Sequence, residues 1–182
     1  MRFKNYFRKM AGTTAGSPPR VSDSEILWSW TGGFLGIAGV SWISQLFFEG
    51  IDISLMIGSF GASAVLVYGA IRSPLAQPRN LIGGHIISAI VGVIVWKLLN
   101  QHLWLAESVA VATSIAAMHL TRTLHPPGGA TALIAVIGSP AIHNLGYWYV
   151  LVPATVGPLI LLAVALLVNN ISGTRSYPEM WF

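Results

Sequence analysis

Five long apolar runs, at 26–48, 53–71, 81–99, 105–120 and 149–168, constrain this chain more than any other feature. A helix needs roughly 20 apolar residues to cross the hydrocarbon core of a bilayer. A chain in lipid must satisfy its backbone polar groups internally, which favours helices for continuous apolar runs of this length. Charged residues make up only 9% of the sequence, against about 25% in soluble domains. The expected fold class is therefore an all-α membrane protein, a polytopic helical bundle. Its 182 residues divide into a basic arm (1–25), a transmembrane domain (26–170) and a short tail (171–182). Cysteine is absent, which excludes disulfides, thiolate metal sites and thiol catalysis.

Charge placement sets an orientation. Arg2, Lys4, Arg8, Lys9 and Arg20 precede the first run, so the arm is expected in the cytoplasm by the positive-inside rule. Glu49 and Asp52 then lie outside, Arg72 and Arg79 inside, Lys97 and Glu107 outside, and Arg122 and Arg175 inside. The opening stretch MRFKNYFRKM reads either as a short amphipathic helix on an anionic leaflet or as a basic tail that only sets topology. Every acidic residue flanks an apolar run and none lies deep within one. Gly32 with Gly36, and Gly84 with Ser88 and Gly92, form small-residue rows that let helices approach closely. Packing within the chain is the first reading and subunit contact the second.

One stretch, LHPPGGATALIAVIGSP (124–140), breaks the pattern. Proline is at home in the first turn of a helix, where its missing N–H would be unsatisfied anyway. Pro126 and Pro127 are thus expected to open a short helix ending near Gly138, where Ser139-Pro140 stops it. Such a helix begins below the membrane surface and offers unpaired amides at the positive end of its dipole. A small anion is the natural guest there. The expected binding residues are His125, Pro126, Pro127, Gly128 and Gly129, with hydroxyls from Ser59, Ser63 and Thr131. A second helix start at Gly58–Gly61 would add backbone donors. The alternatives are that His125 caps a helix and that the glycines only pack. His85 reads as a packing or polar-contact residue, and His119 as a buried structural histidine. Arg79 and Arg122 either fix topology or form a basic vestibule that concentrates anions. Without carboxylates at depth, a cation site lacks its usual ligands. No metal-ligand motif or catalytic constellation appears, so neither metal, cofactor nor enzymatic activity is expected. If the protein is proton-coupled, His125 is the group that titrates.

GASAVLVYGAIRSP (61–74) also matches GATALIAVIGSP (129–140). Gly61 pairs with Gly129, Ser63 with Thr131, and Ser73-Pro74 with Ser139-Pro140. With the charge alternation, this implies two inverted three-segment repeats with interrupted or short helices, a recurring transporter plan. Chance similarity between two helices rich in small residues is the competing reading.

HPPGGATALIAVIG (125–138), GASAVLVYGAIRSPLAQPRNLIGGH (61–85) and YPEMWF (177–182) resemble the HPP family of integral membrane proteins. That family is named for the tripeptide standing here as His125-Pro126-Pro127. The resemblance implies four membrane spans, fewer than the runs above. Through plastid and cyanobacterial relatives it implies transport of a small inorganic anion, nitrite. The expected function is a membrane channel or transporter for such an anion, in a bacterial inner membrane or a plastid membrane. The alternatives are a non-transporting membrane scaffold and a carrier of another small solute. The expected surroundings are lipid and further copies of the chain in a homo-oligomer, with no nucleic acid.

Overall fold

The structure, a computed structural model, describes residues 3–10, 16–17, 19–48 and 50–182, with side chains from Tyr6 onward. Arg2, the Lys4 side chain, linker residues 11–15 and Glu49 lie outside the described residues. The elements are α1 (Phe3–Met10), α2 (Asp23–Ser44), α3 (Ile51–Ala64), a π-helical segment (Val65–Gly69), a 3-10 turn (Pro74–Ala76), α4 (Pro78–Leu99), α5 (Leu103–Thr121), α6 (Pro126–Ile137), α7 (Pro140–Leu145), α8 (Trp148–Leu151) and α9 (Val156–Ile171). All are helical. Among the described residues, five segments are long and apolar enough to cross a membrane: α2, α3 with its π segment, α4, α5, and Trp148–Ile171. The short α6 comes in addition, so the four-span expectation is not met.

The helix ends show where charge-based boundaries went wrong. Helix α2 starts at Asp23 because the Ser22 hydroxyl caps it, accepting from the Glu25 N–H at 3.2 Å. Asp23 and Glu25 thus sit in its first turn at the positive end of the dipole, and the helix begins ahead of the apolar run at 26. Asp52, expected in an external loop, is instead buried in the first turn of α3. Pro78 opens α4 from its first position. The last run was expected to be continuous but is interrupted at 152–155, between α8 and α9. Pro158 in the first turn of α9 is placed where a missing N–H costs nothing.

Packing sorts the helices into two groups. In one, α4, α5 and α6 pack on each other; in the other, α2 packs on α9, α3 and the π segment. Contacts of α3 with α6 and of α4 with α9 join them. Helices α3 and α6 run antiparallel, since Asp52 meets Ser139, Ser59 meets Thr131, and Ser63 meets His125.

The small-residue rows serve this packing. The Tyr68 ring lies across Gly32 and Gly36, where an added Cβ would stand 2.6 Å from Tyr68 Cδ1 and 2.2 Å from its Oη. The Tyr68 hydroxyl reaches over to donate to the Leu161 carbonyl at 2.9 Å, tying α9 to the same point. On α4, Gly84 faces the Thr123 carbonyl and His125 Cβ, and Gly92 faces the Ala132 carbonyl of α6. Backbone is thus packed almost directly on backbone.

The end of the bundle holding the starts of α2 and α4 is closed by Arg175. This buried guanidinium pairs with the Glu25 carboxylate at 2.7 and 3.0 Å, and donates to Ser29 Oγ and Asn169 Oδ1. Asn169 in turn donates to the Val67 carbonyl in the π segment. The tail folds back over the 3-10 turn: the Tyr177 hydroxyl donates to the Ala76 carbonyl at 2.7 Å, and Gln77 Oε1 accepts from the Glu179 N–H at 3.0 Å. Burial pushes the Tyr177 phenol's pKa up, which keeps it a donor.

Candidate functional site: a buried imidazole and hydroxyl network

Helix α6 begins where its prolines predict. His125 is the N-cap, Pro126 and Pro127 fill the first turn, and Gly138 is the C-cap. What lies around that start differs from expectation. The sequence reading turns the first amides toward a wet space; instead, Pro127 and Gly128 are buried and the Gly128 N–H donates to the His125 carbonyl at 2.8 Å. A Cβ on Gly128 would stand 2.8 Å from both the Gly84 carbonyl oxygen and Ser88 Oγ. The α6 start is therefore wedged against α4 by the close approach of two glycine-bearing backbones.

The polar groups gather beside that wedge, and His125 and His85 organise them. Both rings are fully buried, with centroids 5.2 Å apart. Ser63 Oγ lies between them, 2.8 Å from His85 Nε2 and 2.9 Å from His125 Nε2. Beyond the rings, His125 Nδ1 is 2.8 Å from the Leu75 carbonyl oxygen, and His85 Nδ1 is 2.7 Å from Thr131 Oγ1. Thr131 Oγ1 lies 3.1 Å from Ser59 Oγ, which donates to the Pro127 carbonyl at 3.0 Å. The Tyr149 hydroxyl donates to the Thr131 carbonyl at 2.9 Å. Five side chains from α3, α4 and α6 thus form one hydrogen-bonded chain anchored on the 3-10 turn. No carboxylate belongs to it. Among the described residues no group of three or more His, Asp or Glu side chains converges as metal ligands do.

Of the expected site residues, His125, Ser59, Ser63 and Thr131 meet here, with the Pro127 carbonyl. Others do not. Gly61 is half-buried with open space where a Cβ would go, and α3 runs unbroken through 58–61, so there is no second helix start. Two prolines fill the first turn where α6 begins, and no proline stands at 58–61. Pro126 is exposed. Gly129 is half-buried, and an added Cβ would meet only Val111, at 3.8 Å. Arg79 and Arg122 stand together at the bundle end nearest His125. Arg79 donates to the Thr121 carbonyl at 2.9 Å, and Arg122 ends α5 in the left-handed region at φ 57°. His119, expected to be buried, lies on the exposed face of α5.

His85 is the residue that sequence reasoning undervalued. Its signal was present: His85, Ser88 and Gly92 recur at helical spacing on α4, as Ser59 and Ser63 do on α3. Two polar rows on otherwise apolar helices are expected to face each other. Ser88 Oγ, buried one turn beyond His85, has no hydrogen-bond partner.

The family model described as HPP, transmembrane region, matches residues 18–178. This chain belongs to the HPP family. Two curated relatives from Dictyostelium discoideum, each named only as a transmembrane protein, are 43% and 44% identical to it over 99% and 97% of its length. The chain spans 58% and 63% of the length of those relatives. No solved structure matches it. The tripeptide that names the HPP family supplies the N-cap imidazole and the first turn of α6.

Proposed function

We propose that this HPP protein carries a small monovalent anion, nitrite or a close analogue, across the membrane through the junction of α3, α4 and α6. The observation that carries the reading is the carboxylate-free polar chain of Ser59, Thr131, His85, Ser63 and His125 inside an apolar bundle. Polar groups within a membrane bundle are costly and mark pathways by default. Hydroxyls and imidazole N–H groups are donors suited to an anion. Because these groups satisfy one another and are almost wholly buried, passage requires them to part. That favours a carrier over an open pore. The π segment ending α3 is a place where a helix yields, since π-helical turns recur at functional sites.

The inverted-repeat plan is supported by local structure. Ser73 and Ser139 each cap a short helical turn at a Ser-Pro pair, accepting from the Leu75 and Ala141 N–H groups. Exchanging α2, α3 and α4 with α5, α6 and α9 maps the α2–α3 packing onto α5–α6 and the α2–α9 packing onto α5–α4. The positive-inside rule, applied to Arg79 and Arg122, supports a cytoplasmic reading of the end nearest His125.

Uptake of nitrite, nitrate, formate and chloride by liposomes holding purified protein tests the reading. The expected result is flux of at least one anion above empty vesicles, lowered at least about tenfold by Ser63→Ala or His125→Ala, the scale of one lost buried partner. A second reading, a non-transporting scaffold, is favoured by the completeness of the network, which is also what structural glue looks like. It predicts no flux of any of the four.

A further inference from the structure

We propose that His85, Ser63 and His125 form a binding site for one proton, and that anion carriage by this protein is coupled to that proton, moving both in the same direction without net charge. The coupling rests on the anion-carrier reading; the proton site itself does not.

The hydrogen bonds admit one consistent direction. The Leu75 carbonyl has no proton to give, so His125 Nδ1 donates to it at 2.8 Å. In a neutral imidazole the other nitrogen is then an acceptor, and Ser63 donates to His125 Nε2 at 2.9 Å. Ser63 has spent its single proton, so the 2.8 Å contact on its other side is His85 Nε2 donating to Ser63 Oγ. His85 Nδ1 is therefore an acceptor, and Thr131 donates to it at 2.7 Å. The two histidines must be opposite tautomers, fixed by one backbone carbonyl.

The same atoms accept an added proton without moving. If it binds His125 Nε2, that nitrogen becomes a donor to Ser63 Oγ, which then receives from both imidazoles. Ser63 turns its own proton onto the Ser59 carbonyl, 3.3 Å away. If the proton resides on His85 Nδ1 instead, Thr131 turns its hydroxyl to the Pro127 carbonyl at 3.5 Å. Every donor keeps an acceptor in both arrangements. From the second, His85 Nε2 can give its proton to Ser63 Oγ while Ser63 gives its own to His125 Nε2, which moves the charge to His125 and leaves His85 neutral as the Nδ1–H tautomer donating to Thr131. With centroids 5.2 Å apart, a second proton meets a like charge in a poorly screened interior. The site holds one.

Among the described residues the surroundings supply no counter-charge. Around the rings stand Ser59, Ser63 and Phe60 from α3, the Leu75 carbonyl, Met118 from α5 and Thr131 from α6. Tyr149, which donates to the Thr131 carbonyl, is the other titratable group at the network. The acid on α3, Asp52, is held by Ser139 at the opposite end of the helix, roughly 16 Å from Ser63 at 1.5 Å per residue. Arg79 is turned to the Thr121 carbonyl. A buried imidazolium without a partner is costly. A monovalent anion entering with the proton removes that cost, and neither enters cheaply alone. That mutual requirement is the coupling.

Two measurements test the proposal. In liposomes holding the protein and an internal pH dye, anion uptake is expected to bring in one proton per anion beyond that in empty vesicles. It should respond to an imposed pH gradient and not to an imposed membrane potential, and Ser63→Ala should lower the gradient-driven uptake at least about tenfold. Uptake driven by potential and indifferent to the pH gradient overturns the coupling while leaving the carrier reading standing. In ¹⁵N spectra of the histidine-labelled protein, with His85→Gln and His125→Gln for assignment, His125 is expected as the Nδ1–H tautomer and His85 as the Nε2–H tautomer. The pair should take up a single proton, and no second one, as pH falls from about 8 to 3. The reversed tautomers, or no uptake across that range, overturn the proton site whatever the flux shows. Absence of flux together with the expected spectra overturns the carrier and the coupling but not the site.

Discussion

Gly128 and Gly129 are adjacent, identical in composition and opposite in what they tolerate. The backbone of Gly128 is pressed against Gly84 and Ser88 of α4 at distances a methyl group would violate, whereas Gly129 looks across a normal van der Waals gap to Val111. Gly128→Ala is therefore expected to destabilise the protein by about 1–3 kcal/mol, the usual cost of overpacking. Gly129→Ala should be neutral or stabilise by up to about 1 kcal/mol, since alanine is the better helix former. Thermal unfolding in detergent separates the two: a lower melting temperature for the first and an unchanged or higher one for the second. The sequence presents the pair as one unit, a helix start left open for a ligand. Which glycine faces the neighbouring helix depends on how α4 and α6 cross, and that is not written locally.

Among the elements, α6 was the most legible, because two prolines and a Ser-Pro pair punctuate a composition that is otherwise featureless. The interruption between α8 and α9 was missed although Pro153 stands inside it. Val, Ala, Leu and Ile surround that proline, and apolar composition alone does not separate one long helix from two short ones. The acids misled in the opposite way. Asp52 looked like a loop residue by its charge, yet its carboxylate accepts from both the N–H and the hydroxyl of Ser139, pinning the first turn of α3 to the α6–α7 junction. The half of the site on α3 and the half on α6 are thus held in register from their far ends. Asp52→Ala leaves the Ser139 N–H without its acceptor at a part-buried position. The expected cost is about 1–3 kcal/mol, read as a lower melting temperature. Asp52→Asn, which keeps one acceptor oxygen, should lose less. Equal losses in the two variants would show that the carboxylate's charge, not its hydrogen bonds, holds the junction.

At the scale of the whole molecule, the two ends of the chain meet. The Glu25–Arg175 pair binds the first turn of α2 to the residues following α9, across nearly the full length of the sequence. That contact fixes a parity: five long segments and the short α6 must together carry the chain back to the side on which it started. The three-plus-three repeat read from the sequence implies the same parity, since it returns Arg175 to the side of Arg20. If α6 did not complete a crossing, Asp52 at the start of α3 could not reach Ser139 at its end. Because the chain contains no cysteine, single introduced thiols report topology without background. Tyr6→Cys and Phe182→Cys are expected to react with a membrane-impermeant maleimide from the same side, and Gln101→Cys, in the turn between α4 and α5, only from the other. Both terminal thiols should be protected in intact bacterial cells and labelled in inverted vesicles. Labelling of Tyr6→Cys and Phe182→Cys from opposite sides would break the parity, and with it the requirement that α6 carry the histidine network through the membrane interior.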